Sequence, residues 1–486
     1  MKHFPLFLAS YSILLFALVL IIAVFYLEGI PHIPDDAAYY FMAKLFASGR
    51  VIDKIPISPE HVDFFPGAMS IEQGTWLFQY TFGHPLALAI GMLIGAPQII
   101  PPLLGTAMVL MLFAVAKRVY DRETALIVLL FPILSPFFLE NAASFMSHNT
   151  AAFFLVAALL FLVQAESSPA SRRLPFLCGV FLGLLFNTRT LTAIPFLILF
   201  AWVVCVQKGR SRSSSCILFS AGFLPLLLLW CAHNYALTGH PLHSQYYKMN
   251  QILFLLNSNN PHVVLYCINN VFVLFSNLTP MLFNWPFLPS YGFLFIPLLL
   301  RKAGSWDKVF LLSIFSLPAI YFFYNGIYLT YGPRFWYEAL PFIFLLSARG
   351  VRLLFVSWRR VTVVSMSVLA VLSLTSFLGI LPTEDTHMSS PRSITRLRSY
   401  GFTDARIMRE VQRQQLHNAV VFVKSCAPAW WCYGSVFSQN NPELNSDVVY
   451  FKDLGPQKNA AVMRRYAGRK FYLIDYNAPI LEAYLS

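Results

Sequence analysis

Long apolar runs recur along this sequence, and they constrain the fold more than any other feature. From the N-terminus to about residue 381 they approach or exceed the ~20 residues that a helix needs to cross ~30 Å of hydrocarbon. Only helices and closed barrels satisfy every backbone polar group in such a medium. The sequence therefore predicts a mainly α, polytopic membrane protein. The composition agrees, because only 12% of the 486 residues are charged.

About eleven membrane-spanning helices are predicted, and the first is expected to be retained rather than cleaved as a signal peptide. The second is broken at Gly95-Ala96-Pro97. The segment 262–279 is interpreted as interfacial or re-entrant, because a full crossing there would move the later basic loops to the other side. The predicted spans are 4–27, 84–116, 124–139, 149–164, 174–188, 190–206, 215–236, 280–300, 308–324, 336–348 and 361–381.

The basic residues indicate how the chain is oriented. Lys and Arg lie mainly in short loops on one side of the predicted spans, which is typical of cytoplasmic loops. This places the N-terminus in the cytoplasm of a bacterium, with the loop 28–83 and the segment 382–486 on the periplasmic side of the inner membrane. The net charge of +13 then needs no polyanionic partner, and the absence of a nucleic-acid-binding motif excludes that class.

Two domains are expected. Residues 1–381 form the transmembrane domain, which includes the external loop 28–83. Residues 382–486 form a small periplasmic α/β domain, because they contain strand-like runs at 419–423 and 470–474 and a polar helical stretch near 402–416.

The seven cysteines fall into two groups. Those in or beside apolar runs are interpreted as small hydrophobic residues without chemistry. Cys426 and Cys432 lie in the external segment, where an oxidising compartment permits a disulfide, and both the bridge and two free thiols remain open. The first group is Cys178, Cys205, Cys216, Cys231 and Cys267.

An acidic pair, Asp35-Asp36, directly follows the first predicted helix. The next residues have helical spacing, which predicts a helix in the membrane interface with the acidic pair at its N-terminus. The apolar face of this helix consists of Tyr40, Ala43, Phe46 and Ala47. An Asp at this position often caps the helix, but a carboxylate pair at a membrane surface can equally act as a general base or bind a metal.

The order of these features resembles that of a known family. The acidic pair after the first helix, the following tyrosine, the amphipathic helix ending in Ser48-Gly49-Arg50 and about ten further helices are similar to the GT-C membrane glycosyltransferases. The bacterial branch related to protein O-mannosyltransferases and aminoarabinose transferases, of the family 39 type, is the most similar. The resemblance implies a catalytic acid in the first external loop and a donor sugar carried on polyprenyl phosphate.

The resemblance also implies roles for individual residues. Asp35 or Asp36 corresponds to the base that deprotonates the acceptor hydroxyl, and Asp35 is slightly favoured, although many relatives have Asp-Glu here. Direct attack opposite the phosphate would invert the anomeric carbon. An arginine occurs in the corresponding loop of similar bacterial proteins, so Arg189 is a candidate to hold the donor phosphate.

Other polar residues near the predicted membrane border complete the candidate substrate-binding set. Arg334 could bind phosphate or form a local ion pair with Glu338. Arg189 could alternatively reach lipid headgroups. His84 and His148 are either structural hydrogen-bonding groups or ligands of the substrate, and His148 is preferred. Tyr39 and Tyr337 belong to the same set.

No metal or cofactor is established by the sequence. Asp53, Asp63 and Glu72 could complete a divalent-metal site with Asp35 or His148, but their spacing is not diagnostic. The expected partners are membrane lipids, a lipid-linked hexose or pentose donor and an acceptor that is a glycan, a lipid or a protein.

Three other functions compete with sugar transfer. A flippase or transporter of polyprenyl-linked glycans would also need many helices, but it predicts inverted repeats and midplane charges. A polysaccharide polymerase or ligase is disfavoured by the position of the acidic pair. A passive anchor for the external segment would need only one helix.

Overall fold

The computed structural model describes most of the chain. The described residues are 4–52, 66, 69–72, 75–168, 170–206, 212–242, 262–285, 290–322, 324, 329–381, 393–398, 400–424 and 431–484. These residues are mostly helical, as the apolar runs predict.

Among the residues that the structure describes, sixteen α-helices precede the C-terminal segment. Most predicted spans are present within a few residues of their expected limits, because the apolar runs end at loops rich in Lys, Arg, Pro or Gly. The helices are α1 (Phe4–Ile21), α2 (Pro34–Ala47), α3 (Gly83–Leu93), α4 (Ile100–Val119), α5 (Arg122–Val128), α6 (Leu130–Leu134), α7 (Pro136–Ala143), α8 (Ser147–Ser167), α9 (Arg173–Phe186), α10 (Thr190–Val206), α11 (Arg212–Thr238), α12 (Val263–Phe283), α13 (Ile296–Leu299), α14 (Ser305–Ile320), α15 (Leu340–Ser357) and α16 (Arg359–Phe377).

The chain is a multi-pass membrane protein. Among the described residues, seven helices are long and apolar enough to cross a bilayer. An eighth span is possible if the bent pair Arg122–Leu134 and Pro136–Ala143, which meet at 69°, counts as one. Helices α3, α9 and α10 are apolar but shorter.

The region after residue 262 differs from the prediction. The stretch interpreted as interfacial or re-entrant is a continuous helix, α12, which is apolar enough to span. The span predicted at 280–300 is wrong in its limits. Helix α12 ends where Asn284 adopts a left-handed conformation, with φ of 56°. Among the described residues from there to Leu300, the chain forms the short 3₁₀ turn Gly292–Phe295 and α13.

Helix α2 is enclosed on two sides. The predicted face with Tyr40 and Ala43 packs against the hydrophobic cluster of the membrane helices. The opposite face, with Ala37 and Phe41, is also buried, in a second cluster shared with the C-terminal segment. The helix is therefore buried almost all round rather than lying with one face in water, which is expected of a helix with apolar residues on every side.

The C-terminal segment contains a four-stranded sheet in the order β4 (Val448–Lys452), β3 (Ala419–Val423), β5 (Lys470–Ile474) and β6 (Leu481–Ala483). The strands predicted at 419–423 and 470–474 are present as β3 and β5. Strands β3, β4 and β5 are parallel, and β6 is antiparallel to β5. The elements of the segment are α17 (Ile394–Leu397), α18 (Arg406–Arg413), β3 (Ala419–Val423), α19 (Trp431–Phe437), β4 (Val448–Lys452), α20 (Pro456–Arg465), β5 (Lys470–Ile474) and β6 (Leu481–Ala483).

A short antiparallel hairpin, β1 (Met69–Glu72) and β2 (Thr75–Phe78), lies in the loop between α2 and α3. The indole of Trp76 in this hairpin donates to the carbonyl of Pro442 at 3.2 Å. The loop thus packs against the C-terminal segment as well as against α2.

Two of the apolar cysteines are not simple hydrophobic residues. Cys205 at the end of α10 and Cys216 in α11 form a disulfide, with Cα atoms 6.1 Å apart. The prediction of no chemistry was wrong for these two, because the end of α10 lies beside the start of α11. Cys178, Cys231 and Cys267 are free. Cys426 lies outside the described residues, so its pairing with Cys432 stays a prediction.

Candidate active site

The acidic pair lies in the first turn of α2, as predicted. The N-cap residue is Ile33, which makes no side-chain capping bond, and Pro34 occupies the first helical position. Neither aspartate is therefore the helix cap. Both side chains are left to interact with groups outside their own helix, although their charges still lie at the positive end of its dipole.

Asp35 forms an ion pair with Arg334. Its Oδ2 lies 3.0 Å from Nη2 of the arginine, and the Asp35 side chain is 23% exposed whereas that of Arg334 is 7% exposed. The carboxylate is thus the more accessible member of the pair. A partly exposed carboxylate held in one orientation by a buried cation is suited to accept a proton from a bound hydroxyl group.

The local Arg334 to Glu338 pair is not formed. Residues Arg334–Ala339 are a 3₁₀ helix rather than the first turn of an α-helix. With three residues per turn, side chains four positions apart point in directions about 120° apart. Arg334 therefore turns toward Asp35, and Glu338 turns toward the interior of the helical bundle.

Asp36 occupies a different environment from its neighbour. It is 1% exposed. Its Oδ2 accepts hydrogen bonds from the Tyr331 hydroxyl at 3.1 Å and from the His32 backbone at 3.4 Å. Among the described residues no group donates to Oδ1. Burial raises the pKa of Asp36 to about 7, although the bond from Tyr331 opposes the increase.

Tyr400 of the C-terminal segment and His32 of the first loop support the surroundings of Asp36. The Tyr331 backbone N–H donates to the hydroxyl of Tyr400 at 2.6 Å, and the two rings lie 4.5 Å apart. Nδ1 of His32 lies 2.9 Å from the carbonyl of Tyr400. Because Tyr400 belongs to the C-terminal segment, that segment contributes directly to the surroundings of the acidic pair.

Asp36→Asn should stabilise the protein increasingly as the pH rises. The pKa of a buried carboxyl that is raised from 3.8 to about 7 makes folding less favourable wherever the unfolded carboxyl is ionised. The penalty is absent below pH 4, grows through the interval to pH 7 and reaches at most about 4 kcal/mol. Thermal unfolding of the unmodified protein and of Asp36→Asn, at pH 4 and at pH 8, measures this stabilisation. An equal difference in stability between the two proteins at both pH values would contradict the prediction.

A second ion pair lies deeper among the helices. Nε of Arg189 is 3.0 Å from Oε1 of Glu338, and Nδ1 of His148 is 3.2 Å from the same oxygen. His148 and Glu338 have fully buried side chains, and Arg189 is 12% exposed. Such a pair is stable only because each charge compensates the other in a medium of low dielectric constant. The three predicted residues are therefore brought together.

Polar side chains extend this deeper layer toward α2. Arg189 Nη1 lies 3.3 Å from the hydroxyl of Ser147, which is 2.9 Å from the Tyr39 hydroxyl. Arg189 Nη2 lies 3.3 Å from the hydroxyl of Tyr321. One network thus joins Arg189 in the bundle to the helix that carries the acidic pair.

The two arginines flank one aromatic ring. The guanidinium carbons of Arg189 and Arg334 lie 5.9 Å and 5.7 Å from the centre of the Phe335 ring. Two cations near one ring, balanced by Asp35 and Glu338, form a cluster without excess charge. An entering anion would pair with the arginines in place of a carboxylate.

The remaining predicted residues make internal contacts. The nitrogens of His84 lie 2.8 Å from the Thr150 hydroxyl and 2.6 Å from the carbonyl of Phe145, so both are used within the protein. The Tyr337 hydroxyl donates to Asn149 at 3.2 Å. Their predicted contacts with substrate stay predictions.

Sequence reasoning missed three residues beside the acidic pair. His32 and Tyr331 lie in motifs whose neighbours were selected, and a polar residue next to a candidate base was the available signal. Tyr400 gave no signal, because nothing in the sequence near it indicates that it reaches residues 36 and 331.

The candidate divalent-metal site includes residues outside the described part of the chain. Within the described residues, no group of three or more His, Cys, Asp or Glu side chains is placed to hold a metal ion. Asp53 and Asp63 lie outside those residues. Glu72 ends β1, but its side chain is not among those described. The candidate divalent-metal site, which the sequence does not establish, therefore stays a hypothesis.

Comparisons with known proteins show what the chain is similar to. Residues 84–234 match the family model described as dolichyl-phosphate-mannose-protein mannosyltransferase. No curated protein matches the sequence. Among solved structures, ArnT from Cupriavidus metallidurans bound to undecaprenyl phosphate is similar over 96% of this chain and 93% of that one, with a TM-score of 0.58 and 11% identity.

Two further structures share the fold. The apo state of the same ArnT gives a TM-score of 0.55 at 12% identity, with the same coverage. The archaeal oligosaccharyltransferase AglB from Archaeoglobus fulgidus, in complex with an inhibitory peptide and a dolichol-phosphate, gives 0.50 at 11% identity, over 98% of this chain and 70% of that one. The resemblance to the GT-C superfamily glycosyltransferases is therefore confirmed. The fold is similar to that of ArnT.

Proposed function

We propose that the chain is an inverting glycosyltransferase that moves a sugar from a polyprenyl-phosphate donor to an acceptor at the outer face of the bacterial inner membrane. The observation that carries the proposal is the partly exposed Asp35 carboxylate, 3.0 Å from Arg334, on a fold shared with ArnT bound to undecaprenyl phosphate. The acceptor is a glycan, a lipid or a protein.

The reaction needs one base and one anion site. The acceptor hydroxyl attacks the anomeric carbon as its proton passes to Asp35, and the bond from that carbon to the phosphate oxygen breaks. Arg334 and Arg189 would stabilise the departing phosphate, which carries the negative charge of the leaving group. When phosphate pairs with Arg334, the carboxylate of Asp35 is released to face the acceptor.

Asp36 is proposed to support this step without being the base. Its side chain is buried, which disfavours the approach of an acceptor hydroxyl to its oxygens, and burial raises its pKa to about 7, so that a large part of this carboxyl is neutral near pH 7. A neutral neighbour keeps the negative charge on Asp35, where the proton is received.

We also propose eleven crossings, with the N-terminus in the cytoplasm and the segment 382–486 in the periplasm. The side chain of Asn149, at the start of α8, donates to the carbonyl of Pro101 near the start of α4. The end of α4 lies near the N-terminus, since the rings of Phe113 and Phe4 are 5.8 Å apart. Helix α4 thus crosses alone and α3 stays outside. Helix α12 and α13 together make one broken crossing.

The test uses purified protein, a panel of polyprenyl-phosphate sugars and a panel of glycan, lipid and protein acceptors, with nucleotide sugars as the comparison donors. We expect one or a few of the lipid-linked donors to be consumed, with release of polyprenyl phosphate, and no nucleotide sugar to be used. A parallel reaction with a chelator determines whether a divalent metal is needed. If no donor is consumed but lipid-linked glycans cross sealed vesicles that contain the protein, the alternative function of a flippase or transporter replaces this one.

A further inference from the structure

The helix that carries the acidic pair shares a hydrophobic core with the C-terminal sheet. The rings of Phe41 in α2 and Phe437 in α19 are 5.5 Å apart, and Trp76 of the hairpin packs on both. A Cβ atom placed on Gly434 would lie 3.5 Å from that of Ala37. The same cluster contains the buried residues of β3, so the contact reaches the centre of the sheet.

A half-buried lysine, Lys44, holds this contact together. Nζ of Lys44 donates to the carbonyls of Ser438, Gln439 and Asn440, at 2.7, 2.8 and 3.1 Å. These residues directly follow α19, where the last carbonyls of a helix lack intrahelical partners and the dipole favours a cation. The three donors of one ammonium group thus satisfy three acceptors on the C-terminal segment.

The environment of Lys44 makes this interaction specific. Burial lowers the pKa of Lys44 to about 7, and the ammonium group also lies 5.3 Å from the centre of the Tyr40 ring. Near the end of α2, Arg50 pairs with Glu443, which joins the same two regions again. An alkyl side chain at position 44 would leave the carbonyls of Ser438, Gln439 and Asn440 without this donor.

We propose that Lys44 is a positioning residue for the acidic pair, through its attachment of α2 to the C-terminal segment. The inference rests on the proposed function. Asp35 lies about 13 Å from Lys44 along one rigid helix, so a tilt at the attached end displaces the carboxylate. A displacement of about 1 Å from the productive geometry can lower a rate by roughly 10²-fold. The C-terminal segment is then part of the catalytic apparatus rather than a cover over it.

The first experiment compares Lys44→Met, Lys44→Arg and the exposed control Lys308→Met. Lys44→Met should lower kcat by about 10- to 100-fold with little change in the KM for the donor, since Arg334 and Arg189 are untouched. Lys44→Arg should recover part of the loss, because a guanidinium also donates to several carbonyls. Full transfer by Lys44→Met would overturn the proposal.

A disulfide staple provides the second experiment. Ala37→Cys and Gly434→Cys should bond, because their 3.5 Å Cβ separation is within the usual range for disulfides. Formation of this engineered disulfide should restore sugar transfer by the Lys44→Met variant, and its reduction should abolish the restored transfer. Treatment of Lys44→Met without the new cysteines with the same reductant controls for reduction of the native disulfide. Closed staples without recovered transfer would overturn the positioning role.

The rate at which the engineered disulfide forms tests the attachment of α2 to the C-terminal segment without an assay of sugar transfer. We expect closure to be several-fold slower in Lys44→Met than with Lys44 present, because α2 then spends less time against α19. Equal rates would overturn the proposal. If unmodified protein transfers no sugar while the closure rates still differ, the attachment stands and the proposed function fails.

Discussion

Asp35→Asn should reduce kcat for sugar transfer by about 10²- to 10⁴-fold, the range that a positioned general base contributes. Asparagine has the same shape and still accepts a hydrogen bond from Arg334, but it cannot take a proton from the acceptor. The KM for the donor should change little, because the arginines remain. Steady-state release of polyprenyl phosphate measures both constants.

Two other variants separate this effect from general damage. Asp36→Asn should keep more transfer than Asp35→Asn, since Asp36 is buried and its pKa is raised to about 7, so that much of this carboxyl is already neutral near pH 7. Asp475→Asn is the matched control in the C-terminal segment, where Asp475 accepts a local bond from the backbone N–H of Asn477. If Asp35→Asn is fully active, the base lies elsewhere.

Arg189→Met should destabilise the protein by about 3–5 kcal/mol, because it leaves the carboxylate of Glu338 buried without its cation. The double variant Arg189→Met/Glu338→Leu should recover most of that stability, since both charges are gone and the volume is retained. Denaturant unfolding in detergent measures both variants. Transfer should stay low in the double variant if Arg189 holds the donor phosphate.

The exposed Arg172→Met is the control for loss of an arginine. If the double variant is as unstable as the single one, the ion pair is not the source of the destabilisation. If the stable double variant regains transfer, Arg189 does not bind the donor, and Arg334 alone must stabilise the leaving group.

Much of the helical architecture could be predicted because a bilayer imposes a length and a charge asymmetry on each span. The limits of α9 and α10 follow directly from their apolar runs. The break after Phe283 was missed, because the apolar run continues through it and only the backbone of Asn284 ends the helix. The burial of both faces of α2 also depends on a sheet that begins some 370 residues later.

The sequence singled out several of the residues that the fold brings together, but it did not indicate which of them form pairs. Asp35 and Arg334, or Arg189 and Glu338, are distant in sequence, and only the fold decides which charges meet. The local pair of Arg334 with Glu338 assumed an α-helix where the chain forms a 3₁₀ helix. Lys44 was not selected, because its partners are backbone carbonyls, which any sequence supplies.

The most direct test of the central claim is the anomeric configuration of the product. Transfer by the unmodified protein from a polyprenyl-phosphate sugar of known configuration is followed by NMR of the glycosylated acceptor. A single displacement assisted by Asp35 predicts a product of opposite configuration to the donor. A product that retains the configuration would require a covalent or two-step route and would contradict the account.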